Sequence, residues 1–190
     1  MFIQIQETPN PSTVKFLPGI TVLEGNKTLD FTHKDDAYIS PLAQRLFAIE
    51  GIVRVFLGNN FVSVGKANEA HWETLKPVIL TELMEHFSTG MAVIIDIQDP
   101  KDAREGRKDK GNDPLTSEII ELLEERVRPM VAMDGGDIVF ERFEDGVVYL
   151  HMRGACAGCP SASMTLKSGI ESMLRHYIPE VIEVRSADEL

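Results

Sequence analysis

A strongly charged stretch near the middle of the chain divides its 190 residues into two parts. Residues 99–113 contain five acidic and five basic side chains, two glycines, and Ala103 as their single hydrophobic residue. Such a segment buries too little apolar surface to offset the entropy that ordering would cost. We expect a charged flexible linker over residues 99–114, one domain over 1–98 and a second over 115–190. A charged docking arm is the alternative, although runs of mixed sign are usually only solvated.

The composition excludes several classes of partner. The net charge is -11, with both parts acidic, which argues against binding to nucleic acid or to anionic lipid. No apolar run approaches the roughly 18–20 residues of a membrane span. The first residues lack the basic and apolar regions of a signal peptide, and they are not rich in Arg and Ser like a transit peptide. We therefore expect no nucleic-acid and no membrane partner.

The first part reads as a mixture of strands and helices. The predicted elements are strands at 2–5, 14–17, 53–57 and 61–64, and a helix that opens at Ser40-Pro41. The Ser-Pro pair has the form of an N-cap followed by proline at the first helical position. The last two strands are predicted to form a hairpin around residues 58–60. A later helix carries a hydrophobic stripe from Trp72 to Phe87, and Pro77 is expected to kink it or to mark its true start.

The second part is predicted to fold in the order α-β-β-α-β, with both helices on one face of a small sheet. Thr116 is expected to cap the first helix, and Pro129 is expected to end it. The remaining elements are a hairpin of strands 138–143 and 147–152, a helix between Pro160 and Pro179, and a strand at 181–184. The fold class is therefore α+β, with two small mixed domains joined by the linker.

Two cysteines, Cys156 and Cys159, are the only ones in the chain. They lie where a predicted strand ends and a helix begins, a position at which backbone N–H groups and the helix dipole favour thiolate over thiol. Their C-x-x-C spacing lets both sulfurs converge on one metal centre. Neighbouring glycines and the small residues Ala155 and Ala157 are expected to leave this centre open.

Several interpretations of this motif compete. In one interpretation the two cysteines have no functional role. In a second they form the dithiol of a thiol–disulfide oxidoreductase, although no thioredoxin-like pattern surrounds them. In a third interpretation the cysteines bind zinc, and in a fourth they bind an iron–sulfur cluster. Zinc and clusters both take four ligands, and two cysteines supply half of that number. Either metal centre would therefore have to be shared between two chains.

Other candidate residues have weaker support. His151 is a possible extra ligand, but a histidine facing solvent or the sheet is the more common case. Residues 134–137, Asp-Gly-Gly-Asp, are interpreted as a turn that needs a positive φ, and a hard-cation site there is the weaker alternative. Five methionines are interpreted as core residues: Met130, Met133, Met152, Met164 and Met173.

Longer motifs carry a resemblance to a known family. Residues 115–185 resemble the NifU-like C-terminal domain through Arg128-Pro129, Met133-Asp-Gly-Gly-Asp137 and Gly154-Ala-Cys-Ala-Gly-Cys-Pro160. Residues 1–90 resemble the Nfu N-terminal domain through Thr8-Pro-Asn-Pro11 and Lys15-Phe-Leu-Pro-Gly19. The chain is thus similar to full-length Nfu-type iron–sulfur cluster scaffold or carrier proteins.

The resemblance implies a carrier and not an enzyme. It implies a [4Fe–4S] cluster held between two protomers by Cys156 and Cys159 of each, and passed to apo-proteins by thiolate exchange. Four thiolates also suit a [2Fe–2S] cluster. The implied partners are a second copy of the chain, apo iron–sulfur client proteins and upstream cluster assembly proteins. The implied location is the bacterial cytoplasm, or the mitochondrial matrix for a processed organellar chain.

Overall fold

The computed structural model describes residues 2–95, 113–157 and 160–187, and its description of side chains resumes at residue 164 in the last range. The chain separates into two compact units, Met1–Ile97 and Gln98–Leu190. Among the described residues, no helix is long and apolar enough to cross a membrane. Cys159 and residues 99–112 of the predicted linker lie outside the described residues, so the linker and its boundaries stay predictions.

The first unit is a five-stranded antiparallel sheet with helices packed on it. Its elements are β1 (Gln4–Glu7), β2 (Thr13–Leu17), β3 (Leu29–Phe31), a 3₁₀-helix (Lys34–Ile39), α1 (Pro41–Phe47), β4 (Ile52–Leu57), β5 (Val62–Lys66) and α2 (Trp72–Ser88). The strand order is β1-β2-β5-β4-β3. Alternate residues of the central strands, such as Val14, Phe16 and Val64, are fully buried in one core with residues of both α-helices.

Local signals located several of these elements correctly. The Ser40 hydroxyl accepts a hydrogen bond from the Ala43 amide at 3.1 Å, which confirms the predicted N-cap. The predicted hairpin is β4–β5. Pro77 lies inside α2, so its interpretation as the true start of the helix was wrong. The helix begins earlier because the amides of Thr74 and Leu75 already donate to the carbonyl of His71.

The second unit has the predicted α-β-β-α-β order. Its elements are α3 (Pro114–Leu122), a π-helical segment (Leu123–Val127), α4 (Arg128–Met133), β6 (Gly136–Glu144), β7 (Val147–Gly154), α5 (Pro160–Tyr177) and β8 (Glu183–Ser186). The sheet order is β6-β7-β8, with β7 antiparallel to β6 and parallel to β8. The parallel pair is connected through α5, as the rules for parallel strands require.

Both helical regions pack on one face of this sheet. On β7, Val148, Leu150 and Met152 are buried and alternate with partly exposed residues. They share a single core with Ile119 of α3 and Leu174 of α5. Because successive strand residues point to opposite faces, all the buried side chains of β7 lie on the helix side. The predicted arrangement of the two helices is confirmed.

Two predicted limits of the first helix were wrong. The helix begins at Pro114 with Asp113 as its N-cap, so Thr116 lies inside it. Proline at the first position has a suitable φ and needs no amide partner, which explains the earlier start. Pro129 does not end the helix either. The π-helical segment shifts the hydrogen bonding by one residue, with the Arg128 amide donating to the carbonyl of Leu123, so that Pro129 falls in the first turn of α4.

His86, near the end of α2, is an unusual buried residue in the first unit. Its side chain is fully buried, and neither ring nitrogen makes a hydrogen bond within the part of the chain that the structure describes. Burial, and secondarily the positive charge of Arg45, lower the pKa of His86 below its ordinary value. The nearby backbone of Met91 opposes this shift only weakly. His86 is therefore neutral in the folded protein near pH 7.

We predict that this histidine makes the first unit less stable in mild acid. Because the pKa of His86 is lower in the folded unit than in the unfolded chain, the unfolded chain takes up the proton more readily, and stability is lost as the pH falls through about 6.5. Trp72 is the only tryptophan in the chain, so denaturation followed by its fluorescence reports this unit. Between pH 7.5 and pH 5.5 the free energy of unfolding should fall more in the native chain than in His86→Leu. Equal pH dependence in the two proteins would contradict this account.

Candidate functional site

Cys156 lies in the short connection between β7 and α5. Gly154, the last residue of β7, has a φ of +61°, and the Ala157 amide donates to its carbonyl at 3.2 Å. This turn carries the chain from the strand toward the first residue of α5, Pro160. Cys156 is therefore positioned, as predicted, between the end of a strand and the start of a helix.

The thiol of Cys156 is not open to solvent in this structure. Cys156 is buried, with 6% of its surface exposed, and it belongs to the core of the second unit. Ala155 beside it is buried as well. The expectation of an open centre was therefore wrong at this position, because the connection folds inward against the start of β6.

Gly136, the first residue of β6, provides the space that Cys156 occupies. A Cβ atom on Gly136 would lie 2.5 Å from the Cys156 sulfur, 2.7 Å from the Arg153 carbonyl oxygen and 3.0 Å from the Cys156 amide nitrogen. Two of these three atoms are backbone, so a side chain here would displace the chain itself. A residue without a Cβ is required at position 136 for Cys156 to lie where it does.

The preceding residue, Gly135, completes the contact between the two segments. It has a φ of +81°, and its carbonyl accepts a hydrogen bond from the Ala155 amide at 3.1 Å. The interpretation of residues 134–137 as a turn with a positive φ is therefore confirmed. The two glycines have separate roles, since Gly135 makes the turn and Gly136 leaves the space that the Cys156 side chain occupies.

An ion pair between α4 and β6 stabilises the turn at residues 134–137. The Arg128 guanidinium donates to both carboxylate oxygens of Asp137, at 2.8 and 2.9 Å, and also to Glu124. Asp137 is buried, and its hydrogen bonds are the main reason why the pKa of Arg128 is raised above its ordinary value. The bidentate geometry fixes α4 to the first residues of β6. Arg128 and Asp137 thus hold in place the segment on which Cys156 rests.

The other predicted candidates fall in different places. Cys159, the second candidate ligand, lies outside the described residues. His151 points away from the core on β7, and its Nε2 lies 2.8 Å from a carboxylate oxygen of Glu141. The described residues contain no group of three or more His, Cys, Asp or Glu side chains arranged to hold a metal ion. Asp137 is engaged by Arg128, which removes one of the two carboxylates of the suggested hard-cation site.

The methionines were only partly predicted. Met152 is buried, and Met173 packs against the core. Met130, Met133 and Met164 are 63%, 74% and 68% exposed, so their interpretation as core residues was wrong. On α4 the core positions are Val127 before the helix and Val131 within it, which leaves the two methionines of this helix on its outer side.

The role of Gly136 and the partnership of Arg128 with Asp137 were missed from the sequence. A signal for Gly136 was present, because a turn with a positive φ needs one glycine and the sequence has two in succession. No local signal pairs an arginine with an acid nine residues away across the end of a helix. Both features depend on contacts between separate elements, which the local sequence does not specify.

Two family models match the chain, one in each of its two parts. Residues 3–90 match the family described as "Scaffold protein Nfu/NifU N terminal". Residues 119–185 match the family described as "NifU-like domain". The solution NMR structure of a NifU-like protein from Saccharomyces cerevisiae is 27% identical and covers 51% of this chain and 87% of its own, with a TM-score of 0.47.

Curated relatives match almost the whole chain. A Drosophila simulans protein named "NFU1 iron-sulfur cluster scaffold homolog, mitochondrial" is 46% identical over 97% of this chain, which spans 64% of that relative's length. The Homo sapiens protein of the same name is also 46% identical, over 95% of this chain and 70% of its own length. Two consecutive domain matches and these relatives identify the family. The chain belongs to the Nfu/NifU family of scaffold proteins.

Proposed function

We propose that this protein holds an iron–sulfur cluster, [4Fe–4S] in its main form, between two copies of the chain and passes it to apo-proteins. Cys156 and Cys159 of each copy are the proposed ligands. The observation that carries this proposal is the close contact of Cys156 with Gly136, which fixes the position of the cysteine. The relatives of the chain are named as iron–sulfur cluster scaffolds, which supports the same proposal. A [2Fe–2S] cluster would use the same four thiolates.

The donor chemistry supports an iron–sulfur cluster or zinc over calcium and magnesium, and the named relatives favour the cluster. Thiolates are soft ligands that suit iron–sulfur clusters and zinc, whereas calcium and magnesium prefer oxygen ligands. Among the described residues, no three His, Cys, Asp or Glu side chains are grouped so that they could hold a metal ion. Two thiolates per chain are half of a cluster's set, so the remaining half has to come from a second chain.

Transfer would proceed by ligand exchange and needs no catalytic side chain. A cluster held by two chains loses half of its ligands when the copies separate, and thiolates of a client then occupy the vacated positions. The exchange requires the connection from Gly154 to Ala157 to move so that Cys156 leaves the core in which the structure places it. We therefore propose a carrier and not an enzyme.

The proposed partners follow from this role. They are a second copy of the chain, apo iron–sulfur client proteins that accept the cluster, and upstream assembly proteins that supply it. The relatives are named as mitochondrial proteins, which favours the mitochondrial matrix over the bacterial cytoplasm as the location. Residues 99–114 are proposed to act as a linker that lets both units move separately, because their composition opposes burial.

We predict that Cys156 is necessary for cluster binding. Anaerobic reconstitution of the full chain with iron and sulfide should give a brown protein with about four iron atoms per two chains. Cys156→Ser should reduce the bound iron at least about tenfold while its far-UV circular dichroism stays native, because a serine hydroxyl is a poor substitute for a thiolate ligand. A Cys156→Ser variant with normal iron content would overturn the proposed ligand assignment.

The same preparation separates the alternatives. A dithiol oxidoreductase would form an intrachain disulfide and reduce an insulin-type substrate without metal. A structural zinc dimer would be colourless, with about one zinc per two chains. Either result in place of iron and sulfide would contradict the proposal.

We predict that Gly136→Ala disrupts the site, whereas Gly169→Ala does not. The added methyl group at position 136 meets the Cys156 sulfur and two backbone atoms, which should cost about 1–3 kcal/mol in unit stability or displace the cysteine. In both cases the amount of cluster retained in anaerobic gel filtration should fall. Gly169 in α5 has open space around it, so its change to alanine should leave stability equal or up to about 1 kcal/mol higher. Full cluster retention in Gly136→Ala would contradict the role given to Gly136.

A further inference from the structure

Three exposed methionines lie at the end of the second unit that carries Cys156. Met133 is the last residue of α4, and it comes two residues before Gly135, whose carbonyl bonds to the Ala155 amide. Met130 lies three residues earlier, on the same side of the helix. Met164 is the fifth residue of α5, so it lies about 6 Å along the axis from the start of that helix. The connection containing Cys156 leads directly into that start.

The other exposed large hydrophobic side chains of this unit lie elsewhere. Ile182 is 63% exposed and packs against Gly146, in the turn between β6 and β7. That turn lies at the other end of β7 from Gly154, about 23 Å away along an eight-residue strand. Tyr177 is the last residue of α5, and the guanidinium of Arg126 lies over its ring. Exposed methionine is therefore a feature of the cysteine end.

We propose that Met130, Met133 and Met164 form the surface on which a second copy of this chain docks when two copies share one cluster. The inference rests on the proposed function, because only a shared cluster requires the two cysteine ends to meet. In a two-fold symmetric pair each copy presents the same patch, so the methionines of one copy would face those of the other. Methionine suits such a contact, because its flexible thioether adapts to the opposing surface.

The charge of the chain favours an apolar contact of this kind. Each copy carries a net charge of -11, so two copies repel one another in general. Uncharged thioethers add no like-charge contact where the copies come closest. Asp134 is exposed directly after Met133, and we place it at the rim of the contact, where water and salt screen its charge.

The test compares cluster-loaded full chains by sedimentation velocity over a series of protein concentrations, under anaerobic conditions. The variant Met130→Gln/Met133→Gln/Met164→Gln keeps the length of each side chain and removes its apolar character. Its dimer dissociation constant should rise at least about tenfold relative to the native chain. Ile182→Gln is the matched control, since it changes an equally exposed apolar residue at the far end, and its dissociation constant should stay within about twofold.

Each outcome decides the inference. Native-like dimerisation of the triple variant would overturn the inference. If such a variant also transfers its cluster to an apo acceptor more slowly than the native chain, the methionine surface would be assigned to client proteins instead. A native chain that takes up no cluster would overturn both this inference and the proposed function. Since the three residues are exposed, native circular dichroism is expected. If the triple variant nevertheless unfolds, the single Met133→Gln should still raise the dissociation constant by about twofold or more, and no rise there would overturn the inference.

Discussion

The close approach of Cys156 to Gly136 is the contact on which the functional end of the second unit depends. It joins the connection after β7 to the first residue of β6, two segments twenty residues apart in the chain. The Gly135 turn and the hydrogen bond from the Ala155 amide hold the two backbones together. Arg128 and Asp137 then fix α4 to the same place. The space at Gly136, the turn at Gly135, the hydrogen bond of the Ala155 amide and the Arg128–Asp137 ion pair thus all help to position the Cys156 sulfur.

This arrangement is consistent with the temporary cluster binding that we propose. The structure buries Cys156 among apolar side chains, and the described residues include no group of three His, Cys, Asp or Glu side chains that could hold a metal ion. In the proposed function, the two cysteines of one chain supply half of the ligands, and another molecule, either a second copy or a client, supplies the rest. The exposed methionines at the same end provide an uncharged surface on an otherwise acidic protein, where such a molecule can approach closely.

Much of the fold could be predicted from local sequence signals. The Ser40 cap, both hairpins and the α-β-β-α-β order follow from capping residues, turn residues and hydrophobic periodicity, and the structure shows them all. The predictions were wrong where the conformation or the burial of a residue depends on contacts beyond its local sequence. Pro129 stays within a helical region because a π-helical segment precedes it, and Met133 is exposed because neighbouring valines already fill the core. Cys156 is predicted as a ligand from its spacing, but the need for a glycine at position 136 follows only from the three-dimensional contact.

The sharing of one cluster by two chains is the central claim, and native mass spectrometry of anaerobically reconstituted protein tests it most directly. A mixture of ¹⁵N-labelled and unlabelled full chains, combined before reconstitution, should give a mixed dimer that carries one cluster, of four iron and four sulfide ions in the main form. Loss of the cluster should return that species to single chains. A single chain that retains a complete cluster would contradict the account.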